Sequence, residues 1–464
     1  MTKHSAVSQP ASHDPRQMRR VLFSSYLGSV VEFYDFLLYG IAASLVFGQV
    51  FFANLDPMVG TIASFGTLAA GYIARPLGGV IFGHFGDRVG RKSMLVITMT
   101  LMGVASTLIG LIPTYNQIGV AAPIILVFLR VIQGIAVGGE WGGAALMSLE
   151  HSTKRRRGFS ASVTNMGGPS GALLATLIMT ACSTMPEESF LAWGWRIPFL
   201  LSAVLVGLGM FIRLRIQESP VFAAAQAAAA AERKSATGAK KPSVPLFEVL
   251  RHYPKNVLLA AFGGAGAFVI QGLLATFAIT LAVGGGADRT SVLLVHGIGS
   301  FLHIFTIPFF AALSDRVGRR PVMISGALAA ALMAYPLFQM LATGDMGWVL
   351  AAFLIGNPLI QASMYGPLAA FISEMFGTTS RYTGASLGYQ LASTLGAGLA
   401  PLLAATLLTV GNGNPVWVSV MVASICVISA LAIFITKESH KLDLEGDRPE
   451  PAALPTGAKA ASAA

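Results

Sequence analysis

Gly83-His84-Phe85-Gly86-Asp87-Arg88-Val89-Gly90-Arg91-Lys92 holds one of two copies of a single pattern in this chain. The other copy, Ser314-Asp315-Arg316-Val317-Gly318-Arg319-Arg320, lies 228 residues further on. Each is a short basic run between two long apolar ones. A second echo follows at the end of the next apolar pair: Glu150 with Arg157, and Glu374 with Arg381, seven residues apart both times and offset by 224. Two matches in the same order imply a duplicated chain, each half built around the same basic loop.

Around these loops the composition is that of a chain water cannot surround. Of 464 residues, 54% are apolar and 11% charged, with a mean hydropathy of +0.68. Soluble chains carry about 25% charged residues. This excludes a water-soluble enzyme, a nucleic-acid binder and a disordered scaffold, and leaves an all-α polytopic membrane protein. A spanning helix needs roughly 20 apolar residues, and twelve runs qualify: 21–48, 58–83, 93–112, 119–149, 159–183, 196–216, 256–282, 291–313, 321–342, 348–373, 385–410 and 416–436. The expected organisation is a cytoplasmic tail (1–20), a six-helix bundle (21–216), a cytoplasmic central loop (217–255), a second six-helix bundle (256–436) and a disordered cytoplasmic tail (437–464). Within the central loop, the run from Ala225 to Ala231 is expected to form a surface helix. The first span follows a polar, basic stretch and lacks a small-residue cleavage site, so it reads as uncleaved. Cys182 and Cys426 sit in separate apolar runs, which offers neither a disulfide framework nor metal-ligand spacing.

Lys and Arg concentrate on the inner side of membrane proteins. With the N-terminus inside, 27 of the 31 basic residues fall on inner segments; Arg196 and Arg289 fall outside, and Arg75 and Arg130 lie within spans. The net charge of +10 is therefore a topology signal. Both termini are expected in the cytoplasm, with the chain in the cell inner membrane.

The loop residues Gly83 to Lys92 and the run Arg130-Val131-Ile132-Gln133-Gly134 resemble two signatures of the major facilitator superfamily. Within it the chain is similar to the metabolite:proton symporter family in Glu32-Phe33-Tyr34-Asp35, Arg75-Pro76-Leu77-Gly78-Gly79, Gly138-Gly139-Glu140-Trp141-Gly142, Trp193-Gly194-Trp195-Arg196-Ile197-Pro198-Phe199 and Arg381-Tyr382-Thr383-Gly384-Ala385. The likeness runs from about residue 20 to 437. It is strongest to the shikimate-transporter branch, in Asp35-Phe36-Leu37-Leu38-Tyr39-Gly40 and from Gly134 to Ala145. The resemblance implies two six-helix bundles that alternate access to one site. It further implies proton-coupled import of a small organic acid such as shikimate, with a compatible solute (proline or betaine), 2-oxoglutarate or citrate as alternative cargo. The proton gradient would be the driving force, with no cofactor or metal, the lipid bilayer as surroundings and the monomer as the working unit.

An ionisable side chain at the bilayer centre costs about 2.5–3.5 kcal/mol on insertion scales, so each one is a functional candidate. Five qualify: Glu32 and Asp35 in the first span, three residues apart and so expected on one helix face, Arg75 in the second, Arg130 and Glu140 in the fourth. Their three acids and two arginines would be balanced by one proton, and a carboxylate in an apolar cavity holds its proton more tightly than in water. Asp35 is expected as the proton site, with Glu32 second, unless one of them serves only to neutralise Arg75 or Arg130. Glu140, flanked by glycines, suits either coupling or a structural ion pair. Arg75 is the candidate for a substrate carboxylate, since guanidinium offers a planar fork matched to that group. By resemblance, Arg196 is a second candidate, unless it only anchors beside Trp193 and Trp195. Tyr34 and Gln133 join the substrate candidates from the same motifs.

The second half has no charge at mid-depth and offers Gln271, Asn357, Gln361, Tyr365, Tyr389 and Gln390 for neutral hydrogen bonding. His296 and His303, seven residues apart, either relay protons or pack. The two basic loops are expected to act as conformational latches: Gly83, Asp87, Arg88, Gly90 and Arg91 in the first half, and Asp315, Arg316, Gly318 and Arg319 in the second. The superfamily pattern implies a pairing of Arg130 with Asp87. Gly168-Pro169 resembles an antiporter signature with shortened glycine spacing and reads as a hinge. The apolar runs carry no nucleophile–base set or metal cluster at helix spacing, which argues against a membrane enzyme. A channel or a sensor is distinguished by whether the protein accumulates its cargo.

Overall fold

Backbone in hydrocarbon must satisfy its own hydrogen bonds, so apolar runs separated by short polar loops fold as helices. The computed structural model describes residues 15–89, 91–138, 157–214, 245–377 and 381–440. Within these, every regular element is a helix. The long ones are α1 (Pro15–Leu45), α2 (Pro57–Val89), α3 (Arg91–Leu111), α4 (Ala121–Gly138), α5 (Arg157–Ser183) and α6 (Arg196–Leu214). The second set is α7 (Pro254–Gly284), α8 (Arg289–Val317), α9 (Arg319–Ala342), α10 (Met346–Glu374), α11 (Arg381–Val410) and α12 (Val416–Ile435). Among the described residues ten spans are long and apolar enough to cross a bilayer by themselves, and Val96–Leu111 within α3 is a shorter apolar stretch. α1 joins them at 31 residues, about 46 Å of helix at 1.5 Å per residue, diluted in hydropathy by its own acids.

The helix pairings of the first six recur six helices later. α1 packs on α5, α2 on α4 and α3 on α6; likewise α7 packs on α11, α8 on α10 and α9 on α12. The sets meet through α5 on α8, α2 on α11, α1 on α7, and the first turns of α5 on α10. Side chains such as Leu332 (80% exposed), Val204 and Phe434 turn outward as a lipid-facing coat.

Two local features position the site. First, α2 and α4 approach so closely that a Cβ on Gly134 would strike the Gly71 carbonyl, and one on Gly138 the Arg75 carbonyl. Small residues at such crossings let backbones touch, and the contact fixes Arg75 against α4. Second, π-helical turns interrupt α7 at Leu273–Phe277, α10 at Gly356–Gln361 and α11 at Thr394–Gly398. Such bulges re-aim side chains and recur at functional sites. Every neutral candidate of the second half lies on one of these turns or within two turns of it.

Of the expected latch, Gly83, Asp87 and Arg88 fall in the last turns of α2 and Arg91 opens α3, with side chains outside the described residues. Gly90, Glu140, Glu150 and the run from Ala225 to Ala231 also lie outside them. The described end of the central loop carries a short helix, Pro245–His252. The stretch expected as tail begins with ordered residues: the Glu438 carboxylate accepts from the N–H groups of Arg319 and Arg320 (3.0 Å each), and Ser439 Oγ donates to Glu374 (2.5 Å). A helix start leaves such N–H groups without intrahelical partners. Glu438 thus caps α9 from 119 residues away, which no local capping pattern reveals.

Candidate functional site

The mid-depth groups separate into two clusters joined by Phe36. Glu32 and Asp35 are three residues apart, which leaves them about 60° apart around α1 at 100° per residue. Over that angle they diverge. Glu32 stands within electrostatic reach of Tyr365 and Tyr389, across the boundary between the halves. Asp35 instead turns into its own half, where Ser202 of α6 donates to Oδ1 and Ser106 of α3 stands beside the carboxylate. Asp35 is 1% exposed and Glu32 6%. The expectation of one shared acidic face gives way to two acids with different surroundings.

Arg75 lies 3.8 Å from the centroid of Phe36 and 4.2 Å from that of Tyr72. Its Nε is buried without a hydrogen-bond partner. Arg130 lies over the same Phe36 ring at 3.8 Å and over Tyr39 at 4.0 Å, and donates to Gln133 Oε1 at 3.0 Å. This removes Arg130 from the expected pairing with Asp87. Arg130 is level with Gly71, and Asp87 is about 24 Å further along α2. Among the described residues Arg130 makes no direct ion pair, and a buried guanidinium is stabilised by ring faces.

From the second half, Tyr365 and Tyr389 share a hydroxyl–hydroxyl bond of 3.0 Å, with Phe268 edge-on to both. The pair is tied to the first half on three sides. Asn165 donates to the Tyr365 carbonyl (3.0 Å), Gln390 to the Gly138 carbonyl (3.4 Å) and Thr394 to the Tyr72 carbonyl (2.9 Å). The acceptor oxygens of Asn165, Gln361 and Gln390 remain buried without partners. Gln361 donates to the Ala267 carbonyl (3.5 Å) and neighbours His303. Asn357 is buried on the same π turn as Gln361. The Gln271 amide faces Gly168, 3.8 Å from where a Cβ would sit. His296 meets Thr176 of α5 at 2.9 Å and packs edge-on to Phe353.

Three candidates are committed elsewhere. Arg196 donates to the carbonyls of Gly110 (2.8 Å) and Ile112 (2.7 Å) and stacks on Trp195, so it caps the C-terminal end of α3, where carbonyls lack intrahelical donors. Tyr34 donates to the Pro198 carbonyl at 2.8 Å, which pins α1 to α6. Gln133 bridges Arg130 and Ser106, its Nε2 donating to Ser106 Oγ at 2.6 Å.

At the basic end the second-half loop holds the halves together. Asp315 accepts from Gly158 N (2.9 Å) and Phe159 N (3.0 Å) at the start of α5. Asp315 also pairs with Arg319 at 2.6 Å, and Arg319 with Glu374 at 3.3 Å. Gly318 makes the tight turn at φ 109°, whereas Arg316 is exposed. At the opposite end Ser183 meets Thr290 (3.0 Å), and Thr280 donates to the Ser44 carbonyl (3.1 Å). Among the described residues the halves thus touch at both ends, and the central charges are buried between them.

Sequence reasoning missed Phe36, Tyr72, Ser106, Ser202 and Asn165. The position of Phe36 next to Asp35 was the one available signal. Serines within apolar spans usually bond their own helix backbone, so Ser106 and Ser202 carry no mark of function.

Duplicated halves of six helices, a buried interface between them and charges held at mid-depth define a membrane transporter rather than an enzyme. The chain belongs to the sugar (and other) transporter family of the major facilitator superfamily, whose family model matches residues 21–446. It is 41% identical over 425 residues to the shikimate transporter of Escherichia coli K12, covering 91% of this chain and 95% of that one. To the glycine betaine/proline/ectoine/pipecolic acid transporter OusA of Dickeya dadantii it is 33% identical over 440 residues, covering 94% and 86%. Its fold matches a partially occluded, inward-open xylose transporter, XylE from E. coli, with a TM-score of 0.70 at 20% identity, covering 92% of this chain and 100% of that one.

Proposed function

We propose that this transporter imports a small hydroxylated carboxylate of the shikimate type together with a proton, with both termini cytoplasmic and one chain as the working unit. The observation that carries this reading is Arg75. It is a buried guanidinium stacked on aromatic rings, its Nε unpartnered, facing a neutral tyrosine pair of the other half. An anion there would receive a charge-assisted bond, and its hydroxyls would face Tyr365, Tyr389 and the unpartnered amide oxygens. Asp35 is the proton carrier: it is buried, one oxygen is unpartnered, and it stands apart from the proposed anion site. Glu32, which like Arg75 stands within electrostatic reach of the tyrosine pair, serves the substrate side. The latch at Asp315, Arg319 and Glu374 holds the basic end shut and opens when the halves rock.

The relationship to proline and betaine carriers supports a second reading, a compatible solute. Against it, the Phe36 and Tyr72 faces are already occupied by guanidinium groups, which leaves a quaternary ammonium no open cage there. The test is purified protein in liposomes with an alkaline interior and labelled shikimate, 2-oxoglutarate, citrate, proline and betaine. Accumulation of shikimate that collapses with a protonophore supports the proposal; accumulation of betaine or proline alone overturns it.

A further inference from the structure

Between Asp35 and Arg130 there is no direct ion pair among the described contacts; two neutral side chains stand in the gap. Arg130 donates to Gln133 Oε1 (3.0 Å), and Gln133 Nε2 donates to Ser106 Oγ (2.6 Å). Ser106 stands beside the Asp35 carboxylate, whose Oδ2 is buried and unpartnered. Both intervening groups are buried, Gln133 at 1% and Ser106 at 0% exposed. The bond directions are set by chemistry. A guanidinium only donates, so Gln133 must present its oxygen to Arg130 and its NH2 to Ser106. Ser106 then accepts through its oxygen and keeps its own proton to offer to ionised Asp35.

We propose that Gln133 and Ser106 are positioning residues that form a one-way hydrogen-bond relay, through which the ionisation of Asp35 holds Arg130 in place. The inference rests on Asp35 as the proton carrier. With Asp35 ionised, every bond in the relay points from cation to anion and each polarises the next. When Oδ2 binds a proton, the carboxyl becomes a donor, Ser106 must turn from donor to acceptor, and the relay loses its anionic end. Arg130 is then held by Gln133 and ring faces alone. Since Arg130 and Arg75 lie over the same Phe36 ring, a change in one guanidinium is felt at the other, where the substrate anion is proposed to bind. Among the described residues, the groups facing Asp35 are few. They are Ser202 from α6, Ser106 from α3 and Arg130 as the charged group from α4; beside it on α1 is Tyr34, which neighbours Cys182 of α5.

The test separates coupling from transport. In liposomes, exchange of labelled for unlabelled shikimate needs no net proton movement, whereas accumulation against a gradient does. Ser106→Ala and Gln133→Leu are expected to keep exchange within about threefold of wild type and to lower gradient-driven accumulation at least tenfold, while Ser106→Thr, which keeps the hydroxyl, restores it. Gln133→Glu keeps an acceptor for Arg130 but cannot donate to Ser106, and is expected to behave like Gln133→Leu. Equal loss of exchange and accumulation in both Ser106→Ala and Gln133→Leu, or no loss of accumulation, overturns the relay. If Asp35→Asn accumulates normally, the underlying assignment of the proton carrier has failed instead.

Discussion

Replacing Asp315 by alanine removes the only described carboxylate that ties the basic end of one half to the other, and the structure allows the effect to be sized. The carboxylate accepts two bonds that cross between halves, from Gly158 N and Phe159 N. It also makes an ion pair within its own half, to Arg319. Only the crossing bonds bias the equilibrium between closed and open, because the Arg319 pair stays together as the halves part. At about 1 kcal/mol net for each bond, the closed state loses about 2 kcal/mol, which is about a 30-fold rise in the open population at 1.36 kcal/mol per decade. A cysteine at Ser162, on α5 above the gate and 0% exposed, reports that population through its rate of maleimide labelling in detergent. Cys182 and Cys426, both free and buried, are replaced by serine in that background. Asp315→Ala is expected to speed labelling by about 30-fold, and Asp315→Asn, which keeps one acceptor oxygen, by less. An unchanged or slower rate would refute the gate.

Arg75→Lys removes the planar fork while keeping the charge and is expected to weaken substrate-induced thermal stabilisation at least tenfold in apparent affinity; Arg75→Ala abolishes it, and retention by both would remove Arg75 from the site. Arg196→Ala leaves the Gly110 and Ile112 carbonyls without their donor and is expected to cost about 1–3 kcal/mol, seen as a lower Tm with KM nearly unchanged, whereas a tenfold rise in KM at unchanged Tm would return Arg196 to the substrate site. At Glu438, burial pushes the carboxyl up, but N–H bonds from Arg319, Arg320 and His440 outweigh it and hold it below its usual range. The docked segment is therefore stabilised at neutral pH and released as pH falls through that lowered value, so amide exchange at Arg319 and Arg320 should accelerate in acid and in Glu438→Gln at neutral pH. Identical exchange in wild type and variant would count against the cap.

The twelve-helix duplicated fold was legible because hydrocarbon enforces helices on apolar runs, and because the basic loops repeat in order. Arg75 and Asp35 were legible for the same reason: a charge in an apolar run is costly enough to mark itself. The rest depended on rotation and distance. The same three-residue spacing that put Glu32 and Asp35 on one face left about 60° between them, enough for different helices to claim them. Arg196 looked like a site residue by motif, yet its acceptors are α3 carbonyls more than eighty positions away, and backbone acceptors leave no trace in a sequence. The π turns that aim Gln361 and Gln390 have no local signature either. Glu438 was read as tail because its partners are N–H groups at the start of α9.

The measurement closest to the central claim is proton movement accompanying substrate. Proteoliposomes in weak buffer, given shikimate without an imposed gradient, should raise the external pH as substrate enters with wild type, and should give no such signal with Asp35→Asn or Arg75→Ala. Uptake of labelled shikimate by wild type with no change in external pH would contradict proton coupling, and a pH signal of full size from Asp35→Asn would contradict its assignment to Asp35.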